Sequence, residues 1–336
     1  MNYEIKYEKY KKKYLDKKNI IGGVKHTKKK FTHKITNVDE LKVMSFNILA
    51  DAPIWKKKYM DMEKENFIYW NFRKKLIIDI ISEHQPDICL LCEVEYDKIL
   101  FFSKYCNRNN YGYIYTSMEP PKSDKTMEKY INYTTIKNPG ILIIFKFNKL
   151  KLINNLAPDY CNYFFNKSKT ENWSTDKLEI YLQPCVSNII LFENINNNKR
   201  FFFTGLHHPY VQKNINVQID QLNFLLYKIN KLNNNYNLSV IIAGDFNAQP
   251  TSDIYKIMND NNYNSVYKIF NGVENKYTAS NSFMNETFVL DYIFINNNCT
   301  VKNVHQIEKK YFENNNIPNE TFPSDHMFLI AYITIP

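Results

Sequence analysis

The sequence predicts one α/β domain of about 300 residues, built on two sheets that are covered by helices. Short apolar runs of strand length alternate with longer segments of helical spacing from residue 41 to the end of the chain. No linker rich in proline, glycine or serine follows residue 40, so two separate domains are not favoured. The hydrophobic fraction of 44% is sufficient for a sizeable core, which argues against wholesale disorder.

The first half of the domain contains four predicted elements. Residues 41–49 (LKVMSFNIL) are predominantly apolar over the length of a strand. Residues 67–84 carry apolar side chains at helical spacing, and Pro86 is expected to end that helix. Residues 87–94 (DICLLCEV) form a continuous apolar run, which is typical of a strand buried on both faces. A further strand is predicted at residues 140–147 (GILIIFKF).

The second half continues the same alternation of strands and helices. An amphipathic helix is predicted at residues 214–232, because apolar side chains recur there at helical spacing. Residues 180–192 are expected to contain strand, and the other predicted strands lie at 200–206, 240–243, 289–295 and 328–335. Asparagine-rich segments between these elements are interpreted as surface loops.

The positive charge of the chain is concentrated at its N-terminal end. The chain carries a net charge of +10, yet residues 1–36 contain twelve lysines and only three acids, which leaves about +1 for the remaining 300 residues. We therefore predict a basic, flexible arm at residues 1–38, in which tyrosines at helical spacing form a short amphipathic helix, and a nearly neutral domain at residues 39–336. The arm is either a solvated tail or a segment that gathers phosphate backbone.

The six cysteines and the lack of a long apolar run indicate an intracellular protein. No apolar segment reaches the roughly 18–20 residues that cross a membrane, and the N-terminus is charged where a signal peptide would be apolar. We expect reduced thiols and no membrane partner, with the cytoplasm favoured over the nucleus. Cys89 and Cys92 lie three apart on a predicted strand, so their side chains point to opposite faces and cannot chelate one zinc ion.

Polar side chains accumulate where the predicted strands end. Ionised carboxylates in such apolar surroundings cost several kcal/mol unless they are paired or bound to metal, so their convergence predicts a catalytic or metal site at the rim of the sheets. Mg²⁺ binds hard oxygen ligands, and imidazoles beside acids can move protons and donate to phosphate, so these residue types match phosphodiester hydrolysis. The residues are Asn47, Glu93, His207, Asp245 and Asn247 at strand ends, Asp291 inside the apolar run 290–294, and Asp325 and His326 just before the final strand.

Five ordered motifs carry a resemblance to a known family. They are SFNILAD at 45–51, EVE at 93–95, GDFN at 244–247, LDYIF at 290–294 and PSDH at 323–326. In order and spacing they resemble the motifs of the endonuclease/exonuclease/phosphatase superfamily, over residues 41 to 336. The string SFNILAD, the Trp70-x-x-Arg73-Lys74 pattern and the spacing from His207 to Gln221 are most similar to the deadenylase-like branch, which includes nocturnin and the angel proteins.

The resemblance implies both a fold and a set of roles. The fold would be a four-layer sandwich of two mixed β-sheets packed face to face, with helices on the outside. The cofactor would be Mg²⁺, replaceable by Mn²⁺, and its ligands would be Glu93, with Asn47 and Asp325 nearby. Asp245 would orient or deprotonate the attacking water, Asn247 would hold the water or the phosphate, and His207 would donate to phosphate oxygens. His326 would be the second imidazole, oriented by Asp291; the resemblance leaves the general base open.

Two departures from the family pattern affect these assignments. Cys92 occupies the position before Glu93 where the family usually has glutamine, so a hydrogen bond that supports the metal ligand is expected to be lost. Gly205-Leu206-His207 replaces the usual Asn-Thr-His, which leaves a choice between His207 and His208. We favour His207 as the catalytic imidazole and assign His208, together with Asn247, to substrate binding.

Three aromatic residues precede the strand that contains Asp291. Tyr277, Phe283 and Phe288 could each stack on a nucleobase, and each is equally well explained as an ordinary loop or core residue.

The branch resemblance favours a 3′-exoribonuclease that acts on RNA, with poly(A) as its substrate and RNA preferred over DNA as partner. A DNA or apurinic-type endonuclease and a small-nucleotide phosphatase remain alternatives within the same chemistry. An alternative of another class is a nucleic-acid-binding protein that has lost catalysis and acts through its basic arm. The complete set of catalytic residue types argues against this last hypothesis.

Overall fold

The structure, a computed structural model, describes residues 39–51, 66–117, 139–182, 185–210, 214–281, 286–307 and 317–336. The chain divides into two units, Met1–Thr36 and Asn37–Pro336, and all described residues belong to the second. The predicted helix of the basic arm, like Phe283, therefore lies outside the described residues.

The first sheet has six strands in the order β13-β14-β1-β2-β4-β3. Only the β1–β2 pair is parallel, and its neighbours within the sheet are antiparallel, so the sheet is mixed. Its strands are β1 (Glu40–Asn47), β2 (Ile88–Val94), β3 (Tyr111–Thr116), β4 (Gly140–Lys146), β13 (Thr300–Val304) and β14 (Leu329–Thr334).

The second sheet also has six strands, in the order β5-β6-β7-β8-β12-β9. Here β7 and β8 are parallel and the other pairs are antiparallel. The strands are β5 (Leu150–Leu156), β6 (Val186–Asn194), β7 (Arg200–His207), β8 (Ser239–Asp245), β9 (Tyr263–Ser265) and β12 (Asp291–Asn296). A separate hairpin pairs β10 (Ala279–Asn281) with β11 (Glu286–Phe288).

Three hydrophobic clusters arrange these elements in four layers. One cluster fills the space between the sheets, and each of the other two joins the outer face of one sheet to helices. The helices are α1 (Trp70–His84), α2 (Ile99–Arg108), α3 (Tyr160–Thr170), α4 (Thr175–Tyr181), α5 (Ile215–Asn233), α6 (Asp253–Asp260) and α7 (Val266–Asn271). The predicted four-layer sandwich of two mixed sheets is confirmed.

The two cysteines of β2 illustrate how strand geometry sorts side chains. Cys92 belongs to the cluster between the sheets, whereas Cys89 belongs to the cluster under α1 and α2. The alternation predicted from the sequence is therefore observed, and the two thiols do not face one another. All six cysteines lie in the described part of the chain, and none of them forms a disulfide there.

Most predicted elements are present, with small differences in their bounds. The segment 180–192 differs most, because its first two residues, Ile180 and Tyr181, end a short helix and the strand begins only at Val186. The helix predicted from residue 67 begins at Trp70 and is preceded by one short 3₁₀ turn. Among the described residues, no helix combines the length and apolarity that a membrane crossing requires.

Candidate active site

The predicted site residues meet because strand directions bring them to one edge of both sheets. The parallel strands β7 and β8 end at His207 and Asp245, which are register partners. The antiparallel strand β12 begins at the same edge, and its first residue, Asp291, pairs with Asp245. Asn47 and Glu93 lie at the corresponding ends of the parallel strands β1 and β2 in the other sheet. A row of polar side chains on one sheet thus faces a pair on the other.

Asn47 connects the two sheets through its amide group. Its Nδ2 donates to Oε1 of Glu93 at 3.0 Å and to Oδ2 of Asp245 at 3.0 Å. Its Oδ1 accepts from the Leu49 backbone N–H at 3.1 Å, which fixes the orientation of the amide. Asn47, Glu93 and Asp245 are all buried, with exposed fractions of 0%, 5% and 1%. Two carboxylates on opposite sheets are therefore held together by one amide.

The backbone around Glu93 is specialised to present its carboxylate. Glu93 has φ of 63°, in the left-handed region, and it lies at a register irregularity between β2 and β4. A non-glycine residue in this region is strained, and such strain is often found at functional sites. The Ala50 backbone N–H donates to Oε2 at 2.8 Å, so both carboxylate oxygens have a donor.

The structure distinguishes the two adjacent histidines at the end of β7. The His207 Nε2 lies 3.9 Å from Oε1 of Glu93 and 3.8 Å from Oδ2 of Asp245, which places its ring in the site. The His208 ring is fully buried and lies edge-on to Phe246, while its backbone carbonyl accepts from Asn247. With no exposed ring surface, the predicted substrate contact of His208 stays a prediction without structural support. His208 reaches the site through its backbone.

His326 and Asp291 form a hydrogen-bonded pair at the opposite side of the site. The His326 Nδ1 lies 2.9 Å from Oδ2 of Asp291, which also accepts from the Thr278 hydroxyl at 2.8 Å. The pair leaves Nε2 free to face Oδ2 of Asp245, 3.9 Å away. Burial lowers the pKa of His326, but the carboxylates of Asp291 and Asp245 outweigh burial and raise it to about 10. This imidazole can therefore carry a positive charge at neutral pH.

Asp245 lies at the centre of these interactions. Its Oδ1 accepts from the Asn247 backbone N–H at 2.8 Å, and Asn247 is held in turn by its side-chain donation to the His208 carbonyl. Burial raises the pKa of Asp245, and the negative charge of Asp291 raises it further, while His326 and His207 offset part of the effect. An aspartate whose pKa is raised is a better proton acceptor than an ordinary surface carboxylate.

The arrangement can hold a divalent cation. One ligand atom each from Glu93, His207 and Asp245 lies within 4.8 Å of the others, and Asp245, Asp291 and His326 form a second such group. Asp245 and Asp291 are buried register partners, and after burial itself the charge of Asp291 is what raises the pKa of Asp245, so a bound cation would relieve their repulsion. Among the described residues neither group includes Asp325, so its predicted ligand role stays a prediction.

Tyr277 and Phe288, the two aromatic residues predicted to bind substrate, adjoin Thr278, which bonds to the Asp291 carboxylate of the Asp291–His326 pair. Thr278 contacts Asp291, and Tyr277 precedes Thr278 in the chain. The Phe288 carbonyl accepts from the Thr278 backbone N–H at 2.7 Å, so the hairpin β10–β11 adjoins the site. Asp325 is buried, and its carbonyl accepts from Ser280 of the same hairpin. Base stacking by Tyr277 and Phe288 stays a prediction.

Cys92 makes its own contact in place of the glutamine expected before Glu93. Its thiol donates to the Leu206 carbonyl at 3.6 Å, across the space between the sheets. Burial raises the pKa of this thiol well above its ordinary value, so it remains protonated. The thiol therefore provides a weak link between β2 and the residue before His207.

Three buried residues of the site were not identified as functional from the sequence. Thr278 orients Asp291, and Ser324 and Arg73 bond to the backbone beside Asn47. Arg73 belongs to the Trp70-x-x-Arg73-Lys74 pattern and Ser324 to the PSDH motif, so the sequence did contain a signal that could have identified both residues. Thr278 has no comparable signal, because a lone threonine in a loop carries no pattern.

The fold and site agree with a comparison against protein families. Residues 44–326 match the Endonuclease/Exonuclease/phosphatase family, which spans most of the chain and all the site residues. The chain belongs to this family, whose name covers enzymes that cleave phosphate esters.

The individual proteins that this chain resembles are identical to it at only about a quarter of the aligned positions. Nocturnin of Xenopus laevis is 25% identical over 242 residues, covering 68% of this chain and 53% of that protein. A probable CCR4-Not complex 3′-5′-exoribonuclease subunit Ccr4 of Enterocytozoon bieneusi is 26% identical over 241 residues, covering 66% and 49%. The chain spans about half the length of these relatives. The human nocturnin catalytic domain, solved with a bound sulfate, has the same fold, with a TM-score of 0.65, 22% identity and coverage of 89% and 95%.

Proposed function

We propose that this protein is a Mg²⁺-dependent 3′-exoribonuclease that hydrolyses RNA, with poly(A) as its preferred substrate. The observation that carries the proposal is the buried cluster in which Glu93, His207 and Asp245 converge beside the Asp291–His326 pair. The chemistry of that cluster supports phosphodiester hydrolysis. The similarity to a relative named as a 3′-5′-exoribonuclease supports RNA, and the nocturnin similarity supports the same branch.

Each side chain has a distinct role in this proposal. A cation held by Glu93 would polarise the phosphate, with Asn47 fixing the orientation of the Glu93 carboxylate. Asp245 accepts the proton of the attacking water, since burial and Asp291 raise its pKa. His207 and His326 face the Asp245 carboxylate from two sides, and their Nε2 atoms can donate to phosphate oxygens.

A small-nucleotide phosphatase is the second candidate, and the charge distribution favours it. The domain carries a net charge of only about +1, so it offers little general attraction for a long polyanion. A short substrate needs only the local donors of the site. The exoribonuclease and the phosphatase would therefore use the same chemistry. They differ in how much of the substrate extends beyond the site.

The proposal is tested with 5′-labelled A20 RNA and the matched DNA, each with and without Mg²⁺. Three proteins are compared: the wild type, Glu93→Gln and Glu193→Gln. Glu193 is a matched control, because it is a strand glutamate whose partners are the surface residues Arg200 and Lys151. We expect stepwise shortening of the RNA only with Mg²⁺, loss of activity in Glu93→Gln, and normal activity in Glu193→Gln.

Other results would redirect the assignment. Internal cuts in DNA, including at abasic sites, would support the endonuclease alternative. Release of phosphate from dinucleotides or nucleoside phosphates, without shortening of either polymer, would support the phosphatase. Binding of RNA with no hydrolysis of any of these substrates would leave the non-catalytic binder and contradict the proposal.

A further inference from the structure

Arg73 is a fully buried arginine that joins two chain segments of the site. It lies in the first turn of α1, is 1% exposed, and its Nη1 donates to the Ile48 carbonyl at 2.7 Å and the Pro323 carbonyl at 3.2 Å. Its Nε donates to the Ile68 carbonyl at 3.0 Å. Ile48 follows Asn47, and Pro323 lies three residues before His326. One guanidinium thus bonds the segments that carry residues from opposite sides of the site.

Ser324 forms a second link between the same segments. Its hydroxyl donates to the Asn47 carbonyl at 2.6 Å and accepts from the His326 backbone N–H at 3.1 Å. Ser324 is completely buried, so these bonds are shielded from competition by water. The hydroxyl therefore connects the backbone of Asn47 to the backbone of His326 through a single atom.

We propose that Arg73 and Ser324 are positioning residues. They set the distance between Asn47 with Glu93, where the cation would bind, and the Asp291–His326 pair. The inference rests on the proposed function, because it concerns the same site. Asn47 holds Glu93 and Asp245, while His326 holds Asp291, and the two sets share Asp245 as a neighbour. A rigid guanidinium with several donors suits this task, because it can bond several carbonyls at once and stays charged when buried. Burying such a charge is costly unless its hydrogen bonds are complete.

The test compares Ser324→Ala and Arg73→Lys with Tyr111→Phe. Ser324→Ala and Tyr111→Phe each delete one buried hydroxyl that donates to a backbone carbonyl, but Tyr111 bonds Pro86, before the start of β2 and away from the site. Mn²⁺ affinity is measured without substrate by calorimetry, together with kcat, KM and the urea unfolding midpoint. We expect Mn²⁺ affinity and kcat to fall roughly 10- to 100-fold in both positioning variants, with KM nearly unchanged. Tyr111→Phe should change only the unfolding midpoint.

The outcomes are distinct. If Ser324→Ala lowers the unfolding midpoint as Tyr111→Phe does, but binds Mn²⁺ like the wild type, the links are only structural and the inference is wrong. Should Arg73→Lys fail to fold, Ser324→Ala still decides the question. A wild type that binds no Mn²⁺ would also overturn the inference. A wild type that binds Mn²⁺ but cleaves no substrate would instead contradict the proposed function, and the affinity comparison would stand.

Discussion

Two buried histidines of this protein show how surroundings decide the chemistry of a residue. Burial lowers the pKa of His208 to about 3, and the neighbouring His207 adds to that effect. His326 is also buried, yet the carboxylates of Asp291 and Asp245 raise its pKa to about 10. The difference arises because one ring lies against an aromatic side chain and the other between two acids. The same residue type is therefore neutral at one position and cationic at the other.

The buried neutral state of His208 predicts a pH-dependent stability. The pKa of His208 is lower in the folded than in the unfolded protein, so protons bind preferentially to the unfolded chain below about pH 6.5. The contribution is complete above that pH and is lost as the pH falls towards 3. Between pH 7.5 and 5.5 we expect the wild type to lose about 1.4 kcal/mol of unfolding free energy more than His208→Gln. Urea unfolding of both proteins at the two pH values measures this difference; equal losses would contradict it.

Asp291 and His326 are expected to act as one unit. Because Asp291 holds the imidazole through Nδ1, Asp291→Asn and His326→Gln should each lower kcat roughly 100- to 10,000-fold. The double variant should be little worse than the more damaging single variant, since both changes disable the same group. Steady-state kinetics on the RNA substrate gives the three values, and Asp39→Asn, which alters a half-buried aspartate paired with Lys199, serves as control. Multiplicative losses in the double variant would show that the residues act independently.

At the scale of the elements, the sequence predicted the strands that carry the site residues, but it did not predict the hairpin beside them. Apolar runs ending in Asn47, Glu93, His207 and Asp245 placed those residues at strand ends, and the strands are where the pattern put them. The three-residue strands of the β10–β11 hairpin could not be predicted, because so short a segment has no measurable period. The hairpin is held instead by residues distant in sequence: the Ser280 backbone N–H donates to the Asp325 carbonyl, and the carbonyl of Thr278, just before β10, accepts from the Met327 backbone N–H.

Other features escaped prediction because they arise only from tertiary contact. The positive φ of Glu93 depends on how β2 pairs with β4, and nothing in the local sequence EVE requires it. Arg73 lies on a helix where an arginine ordinarily reaches solvent, yet tertiary packing buries it completely. The order of residues along the chain therefore indicated which side chains meet, whereas the bonds that orient them required the three-dimensional structure.

The close approach of β7 to Gly244 on β8 predicts that one added methyl group at this position lowers the stability of the protein. Its φ is 149°, and a Cβ there would lie 1.8 Å from the Leu206 carbonyl oxygen on β7. Strain and the clash together should make Gly244→Ala cost more than about 3 kcal/mol of unfolding free energy and displace Asp245. Gly272→Ala is the matched control, because Gly272 also has a positive φ but no atom within 4 Å of an added Cβ. That control should cost about 1–2 kcal/mol, measured by urea unfolding; equal costs would contradict the role of the clash.

At the scale of the whole molecule, charge and chemistry are carried by different parts of the chain. The residues of the site lie between positions 47 and 326, within a unit that is nearly neutral. Residues 1–38 carry a net charge of +9 and none of the candidate site residues. A nearly neutral catalytic unit has little long-range attraction for RNA, so affinity for a polymer should depend on the lysines of the arm.

Removal of residues 1–38 should therefore change binding of long substrates and leave the chemical step intact. For A20 RNA we expect weaker binding at low salt, and the slope of log affinity against log salt should become shallower by about 0.7 for each lost phosphate contact. For a trinucleotide, kcat should match that of the full chain, because a short substrate does not extend beyond the site. Replacing the twelve arm lysines with glutamine in the full chain separates charge from length and should reproduce the truncation. If both variants bind A20 RNA as the full chain does, with the same salt slope, the arm has no part in holding RNA and the domain alone must provide the contacts.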